Sequence, residues 1–129
     1  MVKLLGPTRR TAELAITNTV QDLNDSASAQ VVAVAEIRGL ELYNPNGFDV
    51  YLQVFDVTSG SVTLGTTDAK QRFMLKALEV SAVPANYKPR KLDRCSFAVT
   101  RQPTTNTSPV ESVTGKILYG TNFVTALGT

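Results

Sequence analysis

The apolar positions of this chain fall in short β-branched and aromatic runs separated by turn residues. Thr11 to Thr17, TAELAIT, sets Leu14 and Ile16 against Glu13, Ala15 and Thr17, the period-two pattern of a half-buried strand. Asn18 to Gln30 is polar and reads as a loop. Val31 to Tyr43, VVAVAEIRGLELY, reads as one long strand, its three valines favouring strand over helix and Gly39 predicting a bulge or bend. Asn44-Pro45-Asn46-Gly47 is a strong turn signal, because Pro presets φ while Asn and Gly tolerate positive φ. It predicts a hairpin into Asp49 to Thr58, DVYLQVFDVT. There Val50, Leu52 and Val54 share one face while Tyr51, Gln53, Phe55 and Val57 share the other, so the strand is expected to be central. Ser59-Gly60 predicts a further turn into a third short run, Ser61 to Leu64, which Gly65-Thr66-Thr67-Asp68 ends.

Ala69 to Val83 fits two patterns, a helical face of Phe73, Met74, Ala77 and Leu78 or a strand face of Phe73, Leu75 and Ala77; strand is favoured. Val83 to Arg94, with two prolines and a knot of Lys88, Arg90, Lys91 and Arg94 beside Asp93, reads as a solvent-facing loop. Cys95 to Thr100 reads as a strand, Arg101 to Pro109 as a Thr/Pro-rich loop, and Val110 to Tyr119 as the last strand, with Ile117 and Tyr119 on one face. Several short strands at near-regular spacing predict an all-β, antiparallel β-sandwich of jelly-roll or Ig-like kind. Residues 11–120 are expected to form a single domain, flanked by an extended N-terminal arm, 1–10, and a C-terminal tail, 121–129.

At 129 residues the chain can bury a substantial core without metals or disulfides. A net charge of +2 from 13 basic and 11 acidic residues argues against a general nucleic-acid binder, and no specific nucleic-acid binding is expected, although a sequence pI near 8.8 leaves room for weak anion affinity. The first residues lack the apolar core of a signal peptide, and no run approaches the about 18 apolar residues of a membrane span, so the protein is expected in solution, away from membranes. There is no histidine, which removes the commonest general base and metal ligand. The single cysteine, Cys95, sits in the apolar run CSFAV and reads as a buried hydrophobe rather than a reactive thiol. Glu36 with Glu41, or Asp49 with Asp56, are conceivable carboxylate pairs, but their spacing is that of ordinary polar strand positions. Gly115-Lys116 enters a strand, not a helix, so no phosphate loop is implied. The expectation is a protein that is not an enzyme and takes no cofactor or metal.

What remains is binding. Lys3, Arg9 and Arg10 in the arm, with Lys88, Arg90, Lys91 and Arg94 in the loop, are the candidate partner-binding residues. The loop can grip a negatively charged neighbour, or serve only as a solvated segment that keeps the domain soluble. Tyr43, Phe48, Tyr51 and Phe55 are candidates for a sugar platform, although aromatics that alternate along adjacent strands more often pack a core.

The succession Ile37-Arg38-Gly39-Leu40-Glu41-Leu42-Tyr43-Asn44-Pro45, then Val50-Tyr51-Leu52-Gln53-Val54-Phe55-Asp56, then Val62-Thr63-Leu64-Gly65-Thr66-Thr67 resembles a group of small structural proteins of tailed bacteriophages. Val83-Pro84-Ala85, Phe97-Ala98-Val99-Thr100 and Gly115-Lys116-Ile117-Leu118-Tyr119 are similar to the later half of that pattern. The resemblance implies a β-sandwich subunit of the virion, assembled in the host cytoplasm, that acts by binding. Its expected role is a capsid decoration or cement protein on the major capsid protein lattice or on other virion proteins, as a homo-oligomer of two or three copies. A neck or tail ring component and a carbohydrate-binding module, with Tyr87 at a loop, are the alternatives. The chain departs from the pattern at Gln71 to Glu79, which is more charged than a plain strand, and at Lys88 to Arg94, a basic insertion; both are candidate contact surfaces.

Overall fold

In the computed structural model, residues 3–4, 8–24, 34–83, 87–101, 110–121 and 124–125 are described. Among the described residues there are eleven strands, nine of them in two main antiparallel sheets, and no α-helix. The strands are β1 (Lys3–Leu4), β2 (Thr8–Arg10), β3 (Leu14–Ile16), β4 (Gln21–Asp22), β5 (Ala35–Tyr43) and β6 (Val50–Phe55). They continue with β7 (Gln71–Leu75), β8 (Val80–Ser81), β9 (Ser96–Thr100), β10 (Val113–Thr121) and β11 (Val124–Thr125). The first sheet runs β2-β10-β5-β8, with β3 also on β10; the second runs β4-β9-β6-β7. β1 pairs with β11.

Both sheets send alternate residues into one core. From the first come Ile16, Ile37, Leu40, Leu42, Val113, Ile117 and Tyr119; from the second come Val50, Leu52, Val54, Phe73, Leu75, Phe97 and Val99. Each such side chain, fully buried, is worth about 1.5–3 kcal/mol of transfer free energy. The predicted central position of β6 is borne out, for it lies between β9 and β7 and its second face, with Gln53 and Phe55, is also buried. The strand reading of the ambiguous segment is likewise correct at β7, where Gln71, Phe73 and Leu75 are buried and Arg72 and Met74 exposed.

The bulge foreseen at Gly39 falls one residue earlier. Leu118 of β10 faces Gly39 while Tyr119 faces Ile37, so Arg38 is the extra residue in β5. Ile37 and Leu40 are three residues apart, an odd spacing that would send them to opposite faces of a regular strand. The inserted residue restores both to the core.

The predicted hairpin at Asn44-Pro45-Asn46-Gly47 is not one. β5 and β6 lie in different sheets, so the turn carries the chain from the first sheet to the second. The Asn44 side chain is fully buried and donates from Nδ2 to the carbonyls of Phe48 and Leu75, both at 3.0 Å. Its Oδ1 accepts from the Asn46 backbone N–H at 2.9 Å. Asn46 in turn donates from Nδ2 to Glu111 O and accepts Glu111 N–H, at 3.1 and 2.9 Å. The turn residues change the chain's direction as expected, but their side chains bind β7 and the approach to β10, and that drives β5 and β6 apart.

Two further expectations are corrected. Ser61 to Leu64 is no strand: Ser59–Ser61 is a 3₁₀ turn, and Thr66 and Thr67 then bond back to Thr63 O. Asp22 holds this segment, its carboxylate accepting Ser59 N–H and Oγ–H at 2.7 and 2.8 Å. Within the expected loop from Asn18 to Gln30, Gln21–Asp22 joins the second sheet as β4; residues 25–30 lie outside the described ones. Of the residues read as an arm, Thr8–Arg10 pairs with Leu118–Gly120 of β10, and Thr11 continues that edge through Ile117, donating to its O at 3.1 Å and accepting its N–H on Oγ1 at 3.0 Å.

Asn44→Asp keeps the shape of the side chain but turns an acceptor toward two carbonyl oxygens. Urea unfolding is expected to show a loss of about 2–4 kcal/mol at neutral pH. The loss should shrink near pH 4, where a protonated carboxyl donates again. At Gly115, φ is +136° and an added Cβ would overlap the Glu41 carbonyl oxygen, whereas at Gly39 it would meet Leu118 at an ordinary 3.4 Å. Gly115→Ala should therefore cost about 3 kcal/mol or more, and Gly39→Ala less than about 1, in the same unfolding assay.

Candidate binding site

β7 is an edge strand: it pairs with β6 on one side, and among the described residues no strand pairs with its other side. Alternation turns Arg72 and Met74 outward, with Lys70 exposed just before them. Tyr87 is fixed beside this strand. Its hydroxyl donates to Ile37 O at 2.7 Å and accepts Gln71 Nε2–H at 3.0 Å, and its ring tilts against Phe73 at 5.4 Å between centroids. Burial pushes the Tyr87 phenol above its ordinary value, so it stays a neutral donor at physiological pH.

Tyr87 thereby pins the start of the basic loop against the sheet edge. A groove of about 220 Å³ results, with Lys70 and Arg72 on one wall and Lys88 and Arg90 on the other. All four are exposed, and no carboxylate lines the groove. Gln71 forms part of the floor; its Oε1 is buried and has no hydrogen-bond partner. The two segments singled out as departures from the phage pattern thus meet in one place.

The other candidate residues lie elsewhere. Arg94 donates from Nη1 to Asp93 O at 2.7 Å, outside the groove lining, as Lys91 also is. Arg9 and Arg10 stand on β2 at the opposite edge of the first sheet from β8, and Arg10 Nε lies 3.2 Å from Glu41 Oε1, an exposed pair of small energetic weight. The backbone of Lys3 pairs with Thr125. Arg72 lies within Gln71 to Glu79, one of the two candidate contact surfaces, whereas Lys70, just before that segment, was missed in the sequence.

The acids considered as pairs each hold a different partner. Glu36 binds Arg38 at 2.8 Å, Glu41 binds Arg10, Asp49 accepts Ala77 N–H at 2.9 Å, and Asp56 accepts Asp93 N–H at 2.6 Å. The sugar platform is not assembled: Tyr43 and Tyr51 lie on different sheets, Phe55 is fully buried, and Phe48 is covered by Arg101, whose guanidinium sits 4.0 Å from its ring centroid. The Tyr87 hydroxyl is spent within the protein. Among the described residues no group of three or more acidic, Cys or His side chains is placed to hold a metal, and no helix is long and apolar enough to cross a membrane.

No family model matches the chain, no curated protein matches its sequence, and no solved structure matches its fold.

Cys95 is 1% exposed, and burial, aided by the Asp56 and Asp22 carboxylates, pushes its thiol from 9.0 up to about 12. A raised thiol pKa means that the unfolded chain ionises first. The stabilisation is therefore fully present below pH 9.0 and is lost as pH rises toward about 12. An aromatic disulfide reagent at mildly alkaline pH is expected to leave the native thiol unmodified and to titrate it at once in denaturant; rapid native labelling would contradict this burial.

Proposed function

We propose that this protein is a structural component of a tailed-phage particle, a capsid decoration or cement protein that binds the major capsid protein lattice and stabilises the shell. The reading joins the sequence resemblance to one observation: the molecule carries two separate sets of basic residues, one at an edge of each sheet. In the first sheet β2 carries Arg9 and Arg10; in the second, β7, the last strand among the described residues, borders the basic groove. A small domain with two contact regions can tie together neighbouring coat subunits, and repetition over a symmetric lattice multiplies the gain.

On this reading the two sheets are the halves of a β-sandwich of jelly-roll or Ig-like kind, and the protein works by binding rather than catalysis. It is expected in the virion after assembly in the host cytoplasm, with coat or other virion proteins as partners and two or three copies around a local axis. Capsids lacking the protein, mixed with purified protein and examined by sedimentation and cryo-electron microscopy, should show regular occupancy of lattice sites. Absence of shell binding together with a closed ring in solution would overturn the decoration role in favour of a neck or tail component.

A further inference from the structure

We propose that the groove between β7 and the Tyr87–Arg90 segment captures an acidic, extended peptide segment of another protein, which adds as a strand to β7. This inference rests on the groove alone and does not require the virion role. Three observations on the groove converge. The first is charge. Lys70, Arg72, Lys88 and Arg90 line one open groove with no lining carboxylate, so their mutual repulsion is relieved by an anionic occupant.

The second is the backbone. β7 is the last strand of its sheet among the described residues, and the outer edge of such a strand offers N–H and C=O groups for pairing with an incoming extended chain. A strand laid there places its own alternate side chains beside Arg72 and Met74. An acidic residue next to Arg72 and an apolar one next to Met74, which is 49% exposed, match both. The third is Gln71, which lines the groove and whose buried Oε1 has no donor. A peptide brings N–H groups as well as negative charge, whereas a bare phosphate chain brings acceptors only.

The same charges argue against a second copy of this chain as the occupant. Two β7 edges brought together would bring two basic grooves into contact, and like charge is a device by which sheet edges avoid self-pairing. The partner therefore carries the opposite sign.

The test uses the full chain and a fluorescein-labelled peptide of alternating Glu and Val, read by fluorescence anisotropy at low salt. Saturable binding is expected. Arg72→Glu and Arg90→Glu should each weaken it by about tenfold or more, while Arg94→Glu, with the same change of net charge outside the groove, should change it by less than about threefold. Circular dichroism of each variant checks that the fold is kept; the two groove variants lie on different segments, so loss of one leaves the other informative. The same peptide N-methylated at alternate residues should bind about tenfold more weakly, because it cannot complete the strand ladder. No binding of the parent peptide would overturn the proposal, as would equal loss in Arg94→Glu or indifference to N-methylation. Oligothymidylate binding as tightly as the peptide would assign the groove to nucleic acid instead. A dimer in sedimentation that Arg72→Glu dissociates would assign it to a second copy.

Discussion

The buried side chain of Asn44 is the interaction on which the two-sheet arrangement turns. It stands where the chain leaves the first sheet and binds three backbone groups: the Phe48 and Leu75 carbonyls and the Asn46 N–H. Its own backbone is held as well, N–H to Glu79 O and O to Leu78 N–H. Among small side chains the amide supplies two donors together with an acceptor, where a hydroxyl has one donor, and at full burial each unmet group would cost about 1–3 kcal/mol. Through Asn46 the same network reaches Glu111 at the approach to β10, so one turn fastens β5, β6, β7 and β10 together.

β10 supplies the complementary constraint in the first sheet. It pairs with β5 along nearly its whole length and with β2 and β3 on the other side, so any change in its path is felt by three strands. Two local irregularities fit it in place. Gly115, at positive φ, lets the Glu41 carbonyl approach where a side chain would stand, and the extra residue Arg38 resets the phase of β5. Arg38 is then put to use: it reaches Glu36 and the Thr8 hydroxyl, at 2.8 and 2.9 Å, and so ties the bulge to β2.

Charge is distributed unevenly over this frame. Arg10 and Arg38 at the β2 side have carboxylate partners, and Asp22, Asp49 and Asp56 are spent on backbone N–H groups of loops. The groove beside β7 concentrates cations with no acid among its lining residues, on an edge that also exposes Met74, with Leu78 and Val80 exposed nearby in sequence. A near-neutral chain thus has a strongly basic place, invisible in its net charge of +2. That local excess, beside a strand edge with no partner among the described residues, suits binding of an extended anionic segment.

Much of the local structure was legible in the residues themselves. The alternation in Leu14–Ile16 and Val50–Phe55, the strand at Phe73, the irregularity next to Gly39 and the burial of Cys95 all follow from side-chain type and period, because which face a residue takes is a local property. Which strand a given strand pairs with is not local. Asn44-Pro45-Asn46-Gly47 announces a reversal in direction, and only long-range bonds to Leu75 and Glu111 decide that the reversal crosses between sheets instead of closing a hairpin. The groove was half readable for the same reason: Lys88 and Arg90 stand out as a charged loop, but Lys70 and Arg72, some twenty residues earlier, join them only because Tyr87 docks on Gln71, Phe73 and Ile37. The sequence by itself determined strands, faces and turns; the tertiary structure decided pairing and the meeting of charges, since both depend on contacts between residues distant along the chain, for which a period-two pattern carries no address.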